Sequence, residues 1–243
     1  MSGRNVMRAL CIIPARGGSR RIPRKNIRPL RGRPLLGWVI ETAQAAGVFC
    51  EIMVSTDDAE IAGIAREYGA AVPFPRSLAT ATDRATTTEV LIEVLANYES
   101  AGHGSFALVC CLYPTAALLQ PEQLRLGFEK LNHEVALDSV MAVQAYRHPI
   151  ERAYREHDGL VRQTDPALHD VRTQDLVPAF HDAGQFYWFR PERLATTGEI
   201  LGERCAPIVL AQWEAVDLDN EADWALLERL APERGLAEAG GRS

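Results

Sequence analysis

The sequence predicts an α/β fold built on a mostly parallel β-sheet with helices on its faces. Short runs at 9–13 and 106–112 are continuously apolar, which is typical of strands that are buried on both faces of a parallel sheet. Segments with helical periodicity alternate with these runs, as in α/β domains. The length of 243 residues suits one domain of this class, so we treat 1–243 as a single domain.

Local signals define the other elements in order. A proline opens a helix over 34–47 and a glycine closes it, as is common at helix ends. Asp57 and Asp58 follow the second strand and predict the N-cap of a helix that runs to Tyr68. The same reasoning predicts further strands at 51–56, 70–74, 138–145 and 185–189, and further helices at 87–100, at 121–131 and from Glu221 onward.

The segment 147–178 interrupts this alternation. It is polar and too long for an ordinary connection in a compact domain. Disorder is one interpretation, but Ile150, Tyr154, Leu160 and Val161 give the segment apolar content. We therefore expect an excursion that packs on another subunit.

Composition limits the possible partners. The formal net charge is -6, which argues against general nucleic-acid binding. No apolar run approaches the roughly 18 residues of a membrane span, and the N-terminus shows no signal-peptide pattern. The five cysteines have no C-x-x-C spacing and three lie in apolar runs, so we expect reduced core thiols. The expected protein is cytoplasmic, with no nucleic-acid or membrane partner.

A glycine-rich and cation-rich loop follows the first strand, from Ala15 to Asn26. Its paired glycines allow a sharp turn whose N–H groups face an anion, at the strand end where α/β folds bind phosphate. A solvated basic loop is the alternative. Only two of the 26 Lys and Arg residues are lysines, yet Lys25 lies in this loop. Its compact charge fits between phosphate oxygens better than a planar guanidinium does.

Two aspartates far along the chain form a second candidate site. In an extended segment Asp217 and Asp219 point to the same face, where their charges repel and need a cation. Two carboxylates together with substrate phosphates are a usual way to bind Mg²⁺. The competing interpretation is that Asp219 or Asn220 only caps the helix from Glu221 onward.

The basic loop and the paired aspartates together indicate nucleotidyl transfer. The cations hold a triphosphate, and Mg²⁺ neutralises charge while pyrophosphate departs. The loop lacks the G-K-[ST] ending of a P-loop, and no G-x-G-x-x-G opens the first helix. Both of those nucleotide-binding classes are therefore excluded.

Further motifs extend along the chain. They are, in order, residues 13–19, 23–26 and 54–58, the set Arg76, Asp83 and Thr87, and residues 216–219. In this combination, over almost the whole chain, they resemble the acylneuraminate (CMP-sialic acid) cytidylyltransferase family. Segments 113–115, 149–152, 172–176 and 181–188 are similar to its pseudaminic acid branch.

The resemblance implies a Rossmann-like domain of the nucleotide-diphospho-sugar transferase type, a homodimer with 147–178 as inserted dimerisation module, and a reaction of CTP with a nonulosonic acid. It implies catalytic roles for Arg16, Lys25 and Asp217, and a Mg²⁺ site at Asp217 and Asp219. The implied nucleotide-binding residues are Ala15, Arg16, Gly17, Gly18, Ser19, Lys25, Asn26, Arg76, Asp83 and Thr87. The implied sugar-binding residues are Tyr113, Arg172, Gln174, His181, Gln185 and Tyr187, with Arg172 expected at a partner's sugar carboxylate.

Two departures from the family pattern concern the sugar. Residues 113–117 read Tyr-Pro-Thr-Ala-Ala where many sialic acid members have Gln-Pro-Thr-Ser-Pro, and residues 181–184 read His-Asp-Ala-Gly in place of Arg-x-Asn-Gly. We therefore expect pseudaminic acid as substrate, with N-acetylneuraminic or legionaminic acid as alternatives. A catalytically silent nucleotide-binding scaffold is an alternative of another class, but it has no need of two repelling carboxylates.

Overall fold

A computed structural model describes residues 8–19, 21–168 and 170–232 of the chain. The strands are β1 (Ala9–Pro14), β2 (Pro29–Leu30), β3 (Arg33–Pro34), β4 (Glu51–Ser55), β5 (Leu108–Leu112), β6 (Ser139–Ala145), β7 (Tyr154–His157), β8 (Leu160–Gln163), β9 (Phe180–Phe189) and β10 (Cys205–Leu210). The α-helices are α1 (Leu35–Ala46), α2 (Ala59–Glu67), α3 (Thr87–Ser100), α4 (Pro121–His133), α5 (Pro191–Thr197) and α6 (Glu221–Leu230).

A six-stranded sheet in the order β10-β6-β9-β5-β1-β4 forms the centre of the domain. β1 pairs in parallel with β4 and β5, and β10 pairs in parallel with β6. β9 runs antiparallel to both of its neighbours. The prediction of a mostly parallel α/β sheet is confirmed, but the aromatic run at 186–189 of β9 carries no signal of the direction of the strand.

Both faces of the sheet are covered, which explains the continuously apolar strands. Leu36 of α1 and Leu124 of α4 pack on one face together with Trp188. Leu91 and Tyr98 of α3 pack on the other face. Cys11, Cys110 and Cys111 are buried in the core as predicted, whereas Cys50 is exposed and Cys205 is half-buried.

Local capping sets several of the helix ends. α1 ends at Gly47, whose φ of 68° is left-handed and suits glycine. Asp58 caps α2 by accepting hydrogen bonds from the backbone N–H groups of Glu60 and Ile61, as predicted. A capping box between Thr86 and Glu89 opens α3.

The observed secondary structure differs from the predictions in three respects. The strand predicted at 70–74 is wrong, because only Ala71 forms an isolated bridge, to Met53. Pro73 and Pro75 lack the N–H groups that a longer ladder needs. The helix α5 and the edge strand β10 had no prediction, and the strand predicted at 185–189 is longer, starting at Phe180.

The described part of 147–178 contains ordered local structure. Strands β7 and β8 form a hairpin that pairs only with itself, and short 3₁₀ helices span Ile150–Arg152, Pro166–Leu168 and Thr173–Asp175. Tyr154, Leu160 and Val161 of the hairpin are more than half exposed, at 59%, 60% and 67%. The packing of this segment on another subunit stays a prediction.

Candidate active site

A cavity of about 510 Å³ opens beside the carboxyl ends of β1 and β5. Its volume lies in the range of small-molecule sites. It brings together most of the residues singled out in the sequence. The predicted residues that line it are Arg16, Ser19, Lys25, Asn26, Arg76, Asp83, Thr87, Tyr113, Asp217 and Asp219.

Aspartates after β4 hold the glycine-rich loop in place. The Gly17 N–H donates to Asp57 Oδ1 at 2.9 Å. A Cβ at Gly17 would lie 2.7 Å from Asp58 Oδ2, so only glycine fits this approach. Arg24, at a left-handed φ of 53°, pairs with Asp58 at 2.5 Å and also with Glu60. The loop is therefore braced against the N-terminus of α2.

The cations around the cavity pair with nearby acceptors. Arg16 forms an ion pair with Asp83, and Arg21 pairs with Asp219 at 2.7 Å. Lys25 Nζ donates to the Leu218 carbonyl at 2.8 Å. Burial, and then the adjacent Arg21 guanidinium, lower the pKa of Lys25. A polyanion entering the cavity would exchange these contacts for phosphate oxygens.

The two aspartates do not lie in a regular strand, which corrects the expected local structure. Both nevertheless line the cavity. Between them, Leu218 is buried in a cluster with Ile22 of the basic loop and Trp224 of α6. This apolar contact holds the aspartate segment against the loop.

The donor set of this segment fits a cation that is shared with a substrate. Burial, and then the Asp219 carboxylate, raise the pKa of Asp217. Asn220 caps α6 by accepting from the N–H groups of Ala222 and Asp223, so the aspartates are not needed as caps. Within the described ranges, no three His, Cys, Asp or Glu side chains converge as a metal site. Two carboxylates completed by phosphate oxygens are an arrangement that suits Mg²⁺.

The opposite wall is rigid and polar. Arg76 is buried, with its Nε 3.1 Å from Ser55 Oγ and a terminal nitrogen 2.9 Å from the Ser55 carbonyl oxygen. Thr87 Oγ1 and the Tyr113 hydroxyl lie 2.9 Å apart. These groups can present fixed donors and acceptors to a nucleotide and to a second substrate.

The predicted sugar-binding residues divide into three groups. Tyr113 lines the cavity. His181, Gln185 and Tyr187 do not line it: the Gln185 amide donates to the backbone of 183–184, and Tyr187 Oη donates to Asp182 at 2.6 Å.

The third group lies in the excursion. Arg172 and Gln174 are exposed and are not brought to the cavity of their own chain. A role for them at the cavity of a second subunit stays a prediction.

Sequence reasoning missed the bracing of the loop. It assigned Asp57 and Asp58 only to helix capping, whereas the structure shows them contacting Gly17 and Arg24. One signal was available, because the carboxyl ends of the parallel strands β1 and β4 meet at one edge of the sheet.

A comparison with a solved structure identifies the fold. The structure of CMP:2-keto-3-deoxy-manno-octonic acid synthetase complexed with CTP superposes with a TM-score of 0.65, over 92% of this chain and 98% of that chain, at 17% identity. This similarity shows that the two chains share a fold.

The family follows from the sequence comparisons. The model of the cytidylyltransferase family matches residues 10–211, and the chain belongs to this family. A pseudaminic acid cytidylyltransferase of Campylobacter jejuni is 38% identical over 221 residues, which cover 89% of this chain and 93% of the relative. A CMP-N,N'-diacetyllegionaminic acid synthase of Legionella pneumophila is 34% identical over 92% of this chain and 96% of the relative.

No helix within the described ranges is long and apolar enough to cross a membrane.

Proposed function

We propose that this protein transfers CMP from CTP to a nonulosonic acid, pseudaminic acid, and releases pyrophosphate. The observation that supports this most strongly is that the basic loop and the paired aspartates face one cavity in a cytidylyltransferase chain. The 38% identity to the Campylobacter jejuni enzyme supports the choice of sugar.

The residues of the cavity have distinct tasks in this reaction. Arg16, Ser19 and Lys25 hold the triphosphate, with Lys25 released from its contact to the Leu218 carbonyl. Asn26, Arg76 and Thr87 position the cytidine. The anomeric hydroxyl oxygen of the sugar then bonds to the α-phosphorus as its proton passes to solvent. The bond from that phosphorus to the oxygen that bridges to the β-phosphate breaks, and pyrophosphate leaves with that oxygen. Stabilisation of the departing pyrophosphate by fixed cations lowers the barrier.

Magnesium is part of the proposal. Asp217 and Asp219 would hold the ion together with triphosphate oxygens, and the ion supplies positive charge where negative charge develops. Arg21 presently neutralises Asp219 and would have to give way to the ion or to phosphate. Removal of divalent cations by EDTA should abolish turnover, and added MgCl₂ should restore it.

We further propose a homodimer formed through the excursion at 147–178. A two-stranded hairpin with no larger sheet to join is marginally stable in water, and β7–β8 exposes apolar side chains. A second copy that covers the hairpin would also bring the exposed Arg172 towards the sugar carboxylate in the partner's cavity.

Pyrophosphate release tests the reaction and the sugar together. Purified protein is incubated with CTP and MgCl₂ and with pseudaminic, N,N'-diacetyllegionaminic or N-acetylneuraminic acid in parallel. Release with pseudaminic acid alone is the expected result. Release with another sugar alone would support the proposed reaction but would contradict pseudaminic acid as the substrate.

Legionaminic acid is the second candidate because of the 34% identical Legionella pneumophila enzyme. If the protein binds CTP but releases no pyrophosphate with any nonulosonic acid, the result would favour a nucleotide-binding scaffold.

A further inference from the structure

The strand β9 is irregular where it passes the cavity. Met141 of β6 pairs with Tyr187, and Val143 pairs with Asp182, so residues 183–186 of β9 lie opposite Ala142 alone. Bulges of this kind redirect side chains and are common beside active sites. This bulge (183–186) brings Gly184, at a left-handed φ of 59°, into the wall of the cavity.

The Asp182 carboxylate connects the two ends of the bulge. Its Oδ1 accepts the Gly184 N–H at 2.8 Å, and its Oδ2 accepts the Tyr187 hydroxyl at 2.6 Å. Asp182 itself is exposed and does not line the cavity. Hydrogen bonds to an ionised carboxylate are stronger than those between neutral groups, so this side chain can hold the bulge in one shape.

The contact continues from Tyr187 to the cavity. The rings of Tyr187 and Tyr113 are nearly perpendicular, with centroids 5.7 Å apart. A carboxylate only accepts hydrogen bonds, so the Tyr187 hydroxyl donates its proton to Asp182. The lone pairs of the Tyr187 oxygen are available on the side that faces away from Asp182. Tyr113, which is beside Tyr187 and Thr87, therefore has a defined environment at the cavity wall.

We propose that Asp182 is the positioning residue for the sugar end of the cavity. One carboxylate oxygen of Asp182 fixes Gly184. The other fixes Tyr187, which in turn positions Tyr113. This inference rests on the proposed cytidylyltransferase function and adds to it a residue that sets the fit of an acidic, amide-bearing sugar without touching it. The triphosphate end, formed by the basic loop, is independent of Asp182.

The test compares Asp182→Asn and Tyr187→Phe with Glu129→Gln, which makes the same carboxylate-to-amide change at an exposed position of α4, outside the cavity and outside 147–178. The asparagine is isosteric but has only one acceptor oxygen. When that oxygen accepts the Gly184 N–H, the amide NH₂ can only donate to Tyr187 Oη, so the Tyr187 proton is no longer held by residue 182. Both site variants should raise the KM for the sugar about tenfold and leave the KM for CTP within about twofold. The double variant should be less than additive, because both changes break the same contact. The control should match the wild type.

Hydrogen exchange of the amides in 180–187 provides a measurement that needs no turnover. Faster exchange in Asp182→Asn but not in Glu129→Gln is expected. An unchanged KM for the sugar in both site variants, or equal rises for sugar and CTP, overturns the proposal. If wild-type protein is inactive with every sugar, the proposed function fails. Unchanged exchange would then separately overturn the role of Asp182.

Discussion

The loop at 15–26 and the excursion at 147–178 are both polar, but they differ in how they are held by the rest of the chain. The loop is held by contacts to distant parts of the chain: Gly17 to Asp57, Arg24 to Asp58 and Lys25 to Leu218. Among the described strands, the hairpin of the excursion pairs with none outside itself, and it exposes apolar side chains.

The loop is ordered by its own chain, whereas we expect the hairpin to be stabilised by contact with a second chain. A phosphate-binding loop must hold its donors in place before the ligand arrives, because ordering them later costs binding energy. A segment that exposes apolar surface in one chain gains its stability from whatever covers it. We therefore expect changes in the loop to affect chemistry and changes in the hairpin to affect oligomeric state.

The largest expected effect is at Asp217. Asp217→Asn should lower kcat by about a thousandfold or more, or about 4 kcal/mol, because a negatively charged ligand of the proposed magnesium ion is lost. The raised pKa of Asp217 means that its ionised form is disfavoured in the folded state, so stability falls as pH rises through that pKa. At pH 7 the variant should therefore melt at the same temperature as wild type or slightly higher. If Asp217→Asn lowered both the melting temperature and the activity, the result would instead indicate a structural role for Asp217.

The two lysines of the chain form a matched pair for the next prediction. Each donates to a backbone carbonyl, Lys25 to Leu218 at 2.8 Å and Lys130 to Pro207 at 3.4 Å. Lys25→Ala should raise the KM for CTP or lower kcat by roughly 10- to 100-fold, the effect of one charge-assisted hydrogen bond. Lys130→Ala should leave the kinetics unchanged. Equal kinetics in the two variants would remove Lys25 from the phosphate site.

The hairpin is tested by a charge on its exposed face. Val161→Glu should convert a dimer to a monomer in light scattering, because charged residues are depleted from interface cores. Val135→Glu is the control, since Val135 is also exposed, at 84% against 67% for Val161, but lies outside the excursion. A wild-type protein that is monomeric at micromolar concentration would contradict the proposed assembly.

The smallest expected effect is on the brace of the loop. Arg24→Ala keeps a Cβ at the left-handed φ but loses the partly exposed pairs with Asp58 and Glu60, which should cost about 1 kcal/mol at pH 7. The Arg24 hydrogen bond lowers the pKa of Asp58, so the stability it supplies is present above the ordinary Asp pKa and is lost as pH falls through the lowered one.

Thermal melts between pH 7 and pH 3 check this prediction. The difference in melting temperature between wild type and Arg24→Ala should narrow towards pH 3. A difference that does not change with pH would show that the pair with Asp58 contributes nothing.

Much of this protein is determined by the sequence itself. The ends of α1, α2 and α3 follow from a proline, a glycine and side-chain caps, which act within a few residues of the chain. The glycine-rich loop and its lysine are likewise local features, and so are the paired aspartates. These short-range signals were sufficient to predict the fold class and to single out the basic loop and the paired aspartates, whereas the family resemblance supplied Arg76, Asp83, Thr87 and Tyr113.

Only the tertiary structure decided how distant segments meet. The antiparallel direction of β9, the bulge (183–186) and the bracing of Gly17 by Asp57 depend on sheet order and register. Pairings such as Lys25 with Leu218, 193 positions apart, leave no periodic pattern in the sequence. The physical reason is that a cap or a turn is fixed by the conformational preference of its own residues, whereas a long-range contact is selected by the packing of the whole core.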